Sequence, residues 1–449
     1  MSLSVIILAA GRGTRMGGHL PKVLYEVAGC TMLEHVLTAV QTLESDDIRV
    51  IVGPELLNHP LFIELKERYN FTVVLQLERN GTADAVRHGI SPGHLHDKTL
   101  VVYGDTPMIT GQLLKSLLSS MRSDPDAHIM NLGFKANNPY GYGRLIIGEK
   151  NALLSIVEEQ DANTQQKAID TCNSGIMLFN STTLVTLLQA VSNLNAKGEY
   201  YLVDTVKLAT QQGLPCIYML CDESEVLGVN TYAQLAEAEM AMQNRIRKKM
   251  IDLGVMLYAP DTAFFAADTE LEPGVKIHPY VVLGKNVKIA AGSEVYSFSH
   301  LEKVVVGNNC SIGPHARIRE HVVLESDVRV GNFVELKKSR LGSGTKTSHL
   351  CYIGDADLGS GVNVGAGVVC ANYDGFTKHK TLIEDGAFIG SNSSLVAPIT
   401  ISSNAVIAAG STICEDVPPD ALAIARNKQT NIEGRGMNHR RKKRHGKHG

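Results

Sequence analysis

The chain has 449 residues, of which 44% are hydrophobic and 20% charged, with 43 Lys and Arg set against 46 Asp and Glu. That length exceeds what one hydrophobic core supports, so two or three globular domains are expected. The near-balanced charge gives no electrostatic ground for nucleic acid as the main partner. Eight cysteines without CxxC pairs or regular spacing disfavour a zinc site and a disulfide framework and fit a reducing, cytoplasmic setting. No segment is long and apolar enough for membrane insertion.

The first apolar run, SVIILAAG, lacks a basic flank and ends in a glycine loop, so it reads as a buried strand and not a signal peptide. A helical stretch near MLEHVLTAVQTL follows, then IRVIVG, FTVVLQ and TLVVYGD. Strand, helix, strand at this spacing predicts an α/β domain with a mostly parallel sheet covered on both faces. Ligands in such sheets lie beyond the carboxyl ends of the strands, which points to LAAGRG, LQLERNGT and YGDTP.

LAAGRGTRM, from Leu8 to Met16, is a glycine-rich turn whose backbone N–H groups can approach phosphate oxygens. It fails the dinucleotide fingerprint, because Met16 holds the last glycine position, and no GK[ST] follows for a P-loop. Arg15 and Lys22 put two cations beside the turn, as pyrophosphate chemistry requires. Asp105 ends the run LVVYGD, where a carboxylate either holds Mg²⁺ between phosphates or turns the chain after a strand.

From Asn230 to Leu253 the apolar spacing becomes helical, with Leu235, Met242, Ile246 and Leu253 on one side and acidic residues before basic ones. Gly254 is placed to stop it. The stretch reads as a helix linking two domains or as a terminal helix packed on the first.

Beyond it runs a six-residue period. Val306, Ile312, Ile318, Leu324, Val330 and Leu336 keep one register, and Ile383, Ile389, Leu395, Ile401, Ile407 and Ile413 keep another. Shorter blocks run from Leu283 to Val295 and from Leu358 to Val364. Six residues make a short strand and its turn, and three such faces close a prism of about eighteen residues per coil, with aliphatics on the axis and small residues at the corners. The register breaks at ANYDGFTKHK, which reads as a loop thrown out of the prism and a candidate for function. The tail RRKKRHGKHG, from Arg440, is either a solvated end or a phosphate- or membrane-binding arm.

Ordered motifs then carry a resemblance. LAAGRGTRM, LPKVL, GTADA, YGDTP, GYGR, VEEQDA, NSG, GEYYLVD and GVN, followed by VGNFVELKK, HLCYIGDA, VNVGAG, CANYDG and AIAR, resemble the bacterial bifunctional N-acetylglucosamine-1-phosphate uridylyltransferases/glucosamine-1-phosphate acetyltransferases along nearly the whole chain. The resemblance implies a Rossmann-like nucleotidyltransferase domain over residues 1–229, a linker helix over 230–253, a left-handed parallel β-helix of hexapeptide repeats over 254–432 and a basic, disordered tail over 433–449. It also implies acetylation of glucosamine-1-phosphate by acetyl-CoA, then transfer of UMP from UTP to the acetylated sugar phosphate, in a homotrimer.

For uridylyl transfer it implies that Leu8, Ala9, Ala10 and Gly11 wrap the nucleotide, that Arg15 and Lys22 neutralise its phosphates and that Gln76, Gly81 and Thr82 read the uracil. Tyr103 and Gly104 would line the same wall, Asp105 and Asn230 would hold Mg²⁺, and Gly143, Glu158 and Asn173 would hold the sugar. For acetyl transfer His349 would be the general base, with Arg319, Lys337, Tyr352, Asn363 and Lys378 binding glucosamine-1-phosphate. Ala366, Asn372, Tyr373, Ser391, Ala409 and Arg426 would bind acetyl-CoA, at sites shared between subunits. The chain departs from the family at Glu320-His321, where Pro-Gly is common, at Ser174 for Thr, and at Glu159-Gln160 for a more basic pair.

Overall fold

A computed structural model describes residues 2–18, 20–90 and 96–437. Contacts divide the chain into two units, Met1–Lys248 with Phe265–Ala267, and Lys249–Phe264 with Asp268–Gly449. The basic run from Arg440 lies outside the described residues.

The first unit is built on strands β1 (Leu3–Ala9), β2 (Asp47–Val52), β3 (Thr72–Leu75), β4 (Lys98–Tyr103), β5 (Ile129–Lys135), β6 (Arg144–Ile147), β7 (Leu153–Val157), β8 (Thr171–Asn180) and β9 (Cys216–Cys221). Their order is β9-β5-β8-β4-β1-β2-β3, with the hairpin β6-β7 attached to β8. β1 runs parallel to β2 and β4, and β2 to β3. A mostly parallel sheet was expected, but the sheet is mixed: β8 is antiparallel to both of its neighbours and to β6, and β6 to β7, so the run CNSGIMLFN enters the sheet from the opposite end.

Pleating decides which core each side chain joins. Along β1, Leu3, Val5, Ile7 and Ala9 point into one buried cluster with Leu33, Val36 and Leu37 of a helix Met32–Gln41. Ile6 and Leu8 point into the other, with Ala83 and Val86 of a helix Thr82–Gly89 and Leu184 and Leu187 of a helix Ser181–Ala190. A continuous apolar strand follows because both faces are covered. The helix Met32–Gln41 starts where Thr31 Oγ1 accepts from the Glu34 N–H at 3.1 Å, a side-chain cap.

A helix spans Tyr232–Asp252 and crosses the division between the units. Its first turn carries no acidic residue, since Glu237 and Glu239 come later. It ends at Gly254 (φ 89°), where the Val255 N–H reaches back to the Met250 carbonyl at 3.0 Å.

The second unit is a parallel β-helix. Three ladders of 10, 9 and 8 short strands form its faces, and each strand pairs with one a full coil later. Val306 pairs with Leu324, Ile312 with Val330 and Ile318 with Leu336, so successive residues of the hexad register fall on the third, first and second face in turn. All six are at most 2% exposed. Residues four places after an axial aliphatic close the core at the corners, among them Ser293, Ser299, Ala316, Ser393 and Ser411, and the Ser293 hydroxyl returns to the Gly307 carbonyl at 2.7 Å.

Two features depart from the expected pattern. Small residues were expected at every corner, but the corner from first to second face carries Tyr280, Phe298, His315, Phe333 and Leu350, all left-handed (φ 53–63°). Their side chains point outward, so bulk is tolerated, and the four rings stack with centroids 4.9–5.1 Å apart. The corner from second to third face also varies in length. At Lys303, Lys338 and Asp355 it turns on one left-handed residue, whereas after Arg319 it holds one residue more and turns on two, Glu320 (φ 59°) and His321 (φ 67°).

Candidate active sites

The first cluster forms beyond the carboxyl ends of β1 and β4. Leu8 closes β1 against the strand's neighbour, its carbonyl accepting from the Gly104 N–H at 2.9 Å, and Ala9 and Ala10 lead into the glycine turn with Gly11 in open space. At Gly13 (φ 63°) an added Cβ would lie 2.7 Å from the Cβ of Lys22, so glycine is what lets the turn fold over that side chain. Lys22 is buried at 8% exposure, and its Nζ donates to Asp105 Oδ2 and to Asn230 Oδ1, the latter at 2.7 Å. Arg15, on the exposed side, donates to the same Asn230 oxygen at 2.9 Å. Four residues separated by up to 215 positions thus converge, and a cation already bridges two hard oxygen ligands. That oxygen pair suits Mg²⁺, which takes carboxylate and amide oxygens together with phosphates.

Gln76 is buried, and its Nε2 donates to Asp84 Oδ2 at 2.8 Å, which leaves the amide oxygen unclaimed by that bond. Gly81 (φ 117°) passes so close to Tyr200 that a Cβ would sit 2.4 Å from its carbonyl oxygen. This approach lets Tyr200 pair with Asn80 at 2.7 Å and Ala83 at 2.9 Å. Thr82 Oγ1 accepts from the Leu202 N–H at 2.9 Å. Burial, then Glu158 and Asp105, push the Tyr103 phenol well above its ordinary range, so it stays protonated.

Gly143, Glu158 and Asn173 also converge. A Cβ on Gly143 would stand 3.3 Å from Glu158 Oε1 and 3.5 Å from Asn173 Cβ. Burial raises the Glu158 carboxyl above the usual carboxylate range, Lys197 opposes this, and Asp161, Asp204 and Glu199 add to it. Asn173 Oδ1 accepts from Asn131 Nδ2 at 2.7 Å. The amide oxygen of Asn131 and the Tyr201 hydroxyl are buried without a hydrogen-bond partner. Sequence reasoning missed Asp84, Asn131 and Tyr201. Tyr201 stands in the quoted motif GEYYLVD, which was the available signal.

In the β-helix, the second face carries a cationic cluster. Arg319 and Lys337 are in register on adjacent coils, and Lys378 reaches back from the loop 372–380 until the Lys337 charge pulls its amine below the ordinary range. Glu320 lies among them, with one oxygen 2.5 Å from Arg319 Nη1 and the other 3.4 Å from Lys337 Nζ and 3.8 Å from Lys338 Nζ. Burial pushes its carboxyl up, but Lys337, Arg319 and Lys338 outweigh this and hold it below the usual range. Arg319 is also held by Glu335 at 2.7 Å.

His349 ends a first-face strand, Lys346–His349, in register with Asn332 one coil before. Its Nδ1 donates to Asn332 Oδ1 at 2.6 Å, because an amide oxygen only accepts, and this leaves Nε2 with its lone pair free. Asn332, within VGNFVELKK, was not singled out from sequence. Tyr352 and Asn372 meet at Gly354, whose Cβ would lie 2.5 Å from the Tyr352 hydroxyl and 2.9 Å from Asn372 Nδ2. Asn372 also donates to Asp355 at 2.5 Å.

Ala366, Ser391 and Ala409 follow one another up the corner above His349. The chain links are Gly367 N–H to the His349 carbonyl (3.1 Å), Asn392 N–H to Ala366 (2.7 Å) and Gly410 N–H to Ser391 (2.8 Å). Arg426 completes the column, donating to the Ala409 carbonyl at 2.8 Å. Asn363 lies outward on the first face, and Tyr373 is tied within its own loop to the Gly375 carbonyl at 2.6 Å. Within one chain, then, two groups form: Arg319, Lys337 and Lys378, adjoined through Gly354 and Asp355 by Tyr352 and Asn372, and His349 with the column above it. No direct bond joins His349 to the cationic cluster among the described residues.

Fold and clusters together define a transferase with two activities in one chain, a nucleotidyltransferase followed by a hexapeptide-repeat acyltransferase. Residues 5–169 match the MobA-like NTP transferase domain. Residues 303–338 match the bacterial transferase hexapeptide (six repeats), and residues 380–414 the hexapeptide repeat of succinyl-transferase. Proteins named bifunctional protein GlmU align along almost their full length. The one from Bradyrhizobium sp. (strain ORS 278) is 45% identical over 434 residues, 96% of this chain and 95% of its own. That of Bradyrhizobium diazoefficiens is 45% identical over 447 residues (98% and 97%), and that of Paramagnetospirillum magneticum 43% over 435 (96% and 95%). The chain belongs to the GlmU family of bifunctional proteins. No helix among the described residues is long and apolar enough to cross a membrane.

Proposed function

We propose that the chain acetylates glucosamine-1-phosphate with acetyl-CoA on its β-helix, over residues 254–432, and then transfers UMP from UTP to N-acetylglucosamine-1-phosphate on residues 1–229. The product would be UDP-N-acetylglucosamine, supplied to cell-envelope polymers in the cytoplasm. The observation that carries this reading is the presence in one family member of both the Lys22–Asp105–Asn230 cluster and the Arg319–Lys337–Lys378 cluster.

In uridylyl transfer, the sugar phosphate attacks the α-phosphorus of UTP and pyrophosphate leaves, so positioning and charge neutralisation suffice. Asp105 and Asn230 would hold Mg²⁺, which supplies charge neutralisation at the phosphates. Lys22 and Arg15 steady the leaving group, Leu8 to Gly11 wrap the triphosphate, and Gln76, Gly81 and Thr82 read the base with Tyr103 and Gly104 beside them. Gly143, Glu158 and Asn173 take the sugar. A site built to hydrogen-bond one base edge rejects a base that leaves its buried polar groups unpaired.

In acetyl transfer, His349 Nε2 removes a proton from the sugar amine as the nitrogen attacks the thioester carbonyl, and CoA leaves as thiol. Arg319, Lys337 and Lys378 hold the phosphate, Tyr352 and Asn363 the sugar. Ala366, Asn372, Tyr373, Ser391, Ala409 and Arg426 hold acetyl-CoA. A homotrimer, with sites completed by a neighbouring subunit, accounts for the separation of His349 from the cationic cluster within one chain.

Purified protein given glucosamine-1-phosphate and acetyl-CoA should release free CoA thiol, and thiol at background level would refute the acetyltransferase half. Supplied with N-acetylglucosamine-1-phosphate, it should form pyrophosphate from UTP far faster than from CTP or ATP.

A further inference from the structure

The cationic cluster on the second face of the β-helix is not bare. Glu320 divides its two oxygens among three cations, one on Arg319 Nη1 at 2.5 Å, the other 3.4 Å from Lys337 Nζ and 3.8 Å from Lys338 Nζ. The carboxylate is there because of the backbone. The corner after Arg319 has one residue more than the corners at Lys303, Lys338 and Asp355 on the same edge, and it spends two consecutive left-handed residues, Glu320 and His321, to make the turn. Neither is glycine, so the chain holds an unfavourable conformation at this corner. An anion in a basket of Arg and Lys groups has the charge and the hydrogen-bond needs of a sugar phosphate.

We propose that Glu320 is a built-in occupant of the phosphate cradle, and that it lowers affinity for the substrate by competing with its phosphate for Arg319 and Lys337. The proposal rests on the reading of this cluster as the glucosamine-1-phosphate site. A phosphate arriving at these cations meets a carboxylate already on them, and two anions cannot share them without repulsion. The carboxylate must therefore swing away, which its position at an exposed corner allows, as its side chain retains 33% of its surface. Glu320 thus tunes how much substrate is needed, through the cations and not through the reacting atoms.

The alternative is that Glu320 positions Arg319 and Lys337 and remains in place when substrate binds. The two roles predict opposite signs. If Glu320 competes, E320Q should lower KM for glucosamine-1-phosphate by about 3- to 10-fold, the range expected from loss of partly exposed ion pairs. KM for acetyl-CoA and kcat should stay within about twofold, since neither depends on the phosphate cradle. E320D, which keeps the charge, should stay close to the unchanged protein. Inorganic phosphate should become a stronger competitive inhibitor of E320Q by the same factor. An unchanged kcat for acetyl transfer and an unchanged denaturant midpoint of the β-helix unit, which holds Glu320, report that each variant is folded.

An unchanged or raised KM in E320Q, with folding intact, overturns the proposal. If the full-length protein releases no CoA thiol at all, the functional reading fails first, and calorimetric titration with inorganic phosphate still decides on Glu320. Tighter phosphate binding by E320Q than by the unchanged chain supports competition, and equal or weaker binding refutes it.

Discussion

At the scale of single residues, both sites rest on side chains that hold other side chains. Asn332 is the clearest case, because its amide oxygen sets the proton on Nδ1 of His349 and so frees Nε2. N332A should lower kcat for acetyl transfer by about 10- to 100-fold, less than the roughly 10²- to 10⁴-fold a general base contributes because the imidazole itself remains, with little change in KM. ¹⁵N spectra of the imidazole should show the tautomer mixture that the loss of this bond allows. Glu158 behaves differently. Its folded carboxyl titrates above the ordinary value, chiefly through burial, so the folded state binds the proton more tightly than the unfolded chain. Its effect on stability therefore turns unfavourable as pH rises from the unfolded value through the folded one. E158Q should melt at a higher temperature than the unchanged chain at pH 7, and at the same temperature near pH 3, while KM for N-acetylglucosamine-1-phosphate rises. Lys22, Asp105 and His349 stood out in the sequence because motifs surround them. Asp84 and Asn332 also lie in quoted motifs, GTADA and VGNFVELKK, and Asn131 in none, yet none of the three was given a role, because a residue that orients another is defined by distance across the fold and a motif does not say which neighbour it holds.

At the scale of elements, the β-helix was the more legible half. A period of six with a closed three-strand cycle leaves one way to bury the aliphatics, and the axial residues from Val306 to Leu336 are buried to within 2%. L336A, deep in a coil with neighbours above and below, should cost about 2–5 kcal/mol by the lost contacts and the cavity left behind, measurable by denaturant unfolding. The aromatic corner from Tyr280 to Phe333 escaped the pattern, since the period reports what points inward and these rings point out. In the α/β unit the strands β1 to β4 were visible as apolar runs, whereas β8, with Asn173, Ser174 and Gly175 near its start, hides its direction. Antiparallel entry is a matter of which neighbours it meets and not of its own composition. G81A tests the other element-level contact. The Cβ would strike the Tyr200 carbonyl, so uridylyl transfer should fall sharply while acetyl transfer is untouched.

For the molecule as a whole, two compact units divide the chemistry, and variants should divide it too. D105A should abolish pyrophosphate formation from UTP and leave CoA release intact, H349A should do the reverse, and equal loss of both activities in either variant would refute two separate sites. The winding of the second unit has a consequence for how its length can change. Leu324 pairs with Leu341 after 17 residues where Ile318 pairs with Leu336 after 18, and the coil holding the loop 372–380 spans 25 between Leu358 and Ile383. The prism therefore counts like a ratchet. A whole coil can be gained or lost, and extra chain can leave at the edge between second and third face, but a residue added elsewhere would turn every later aliphatic off the axis. Insertions that survive should gather along that single edge, where Glu320 and Lys378 already stand, so variation in length falls on the seam that carries the proposed phosphate cradle.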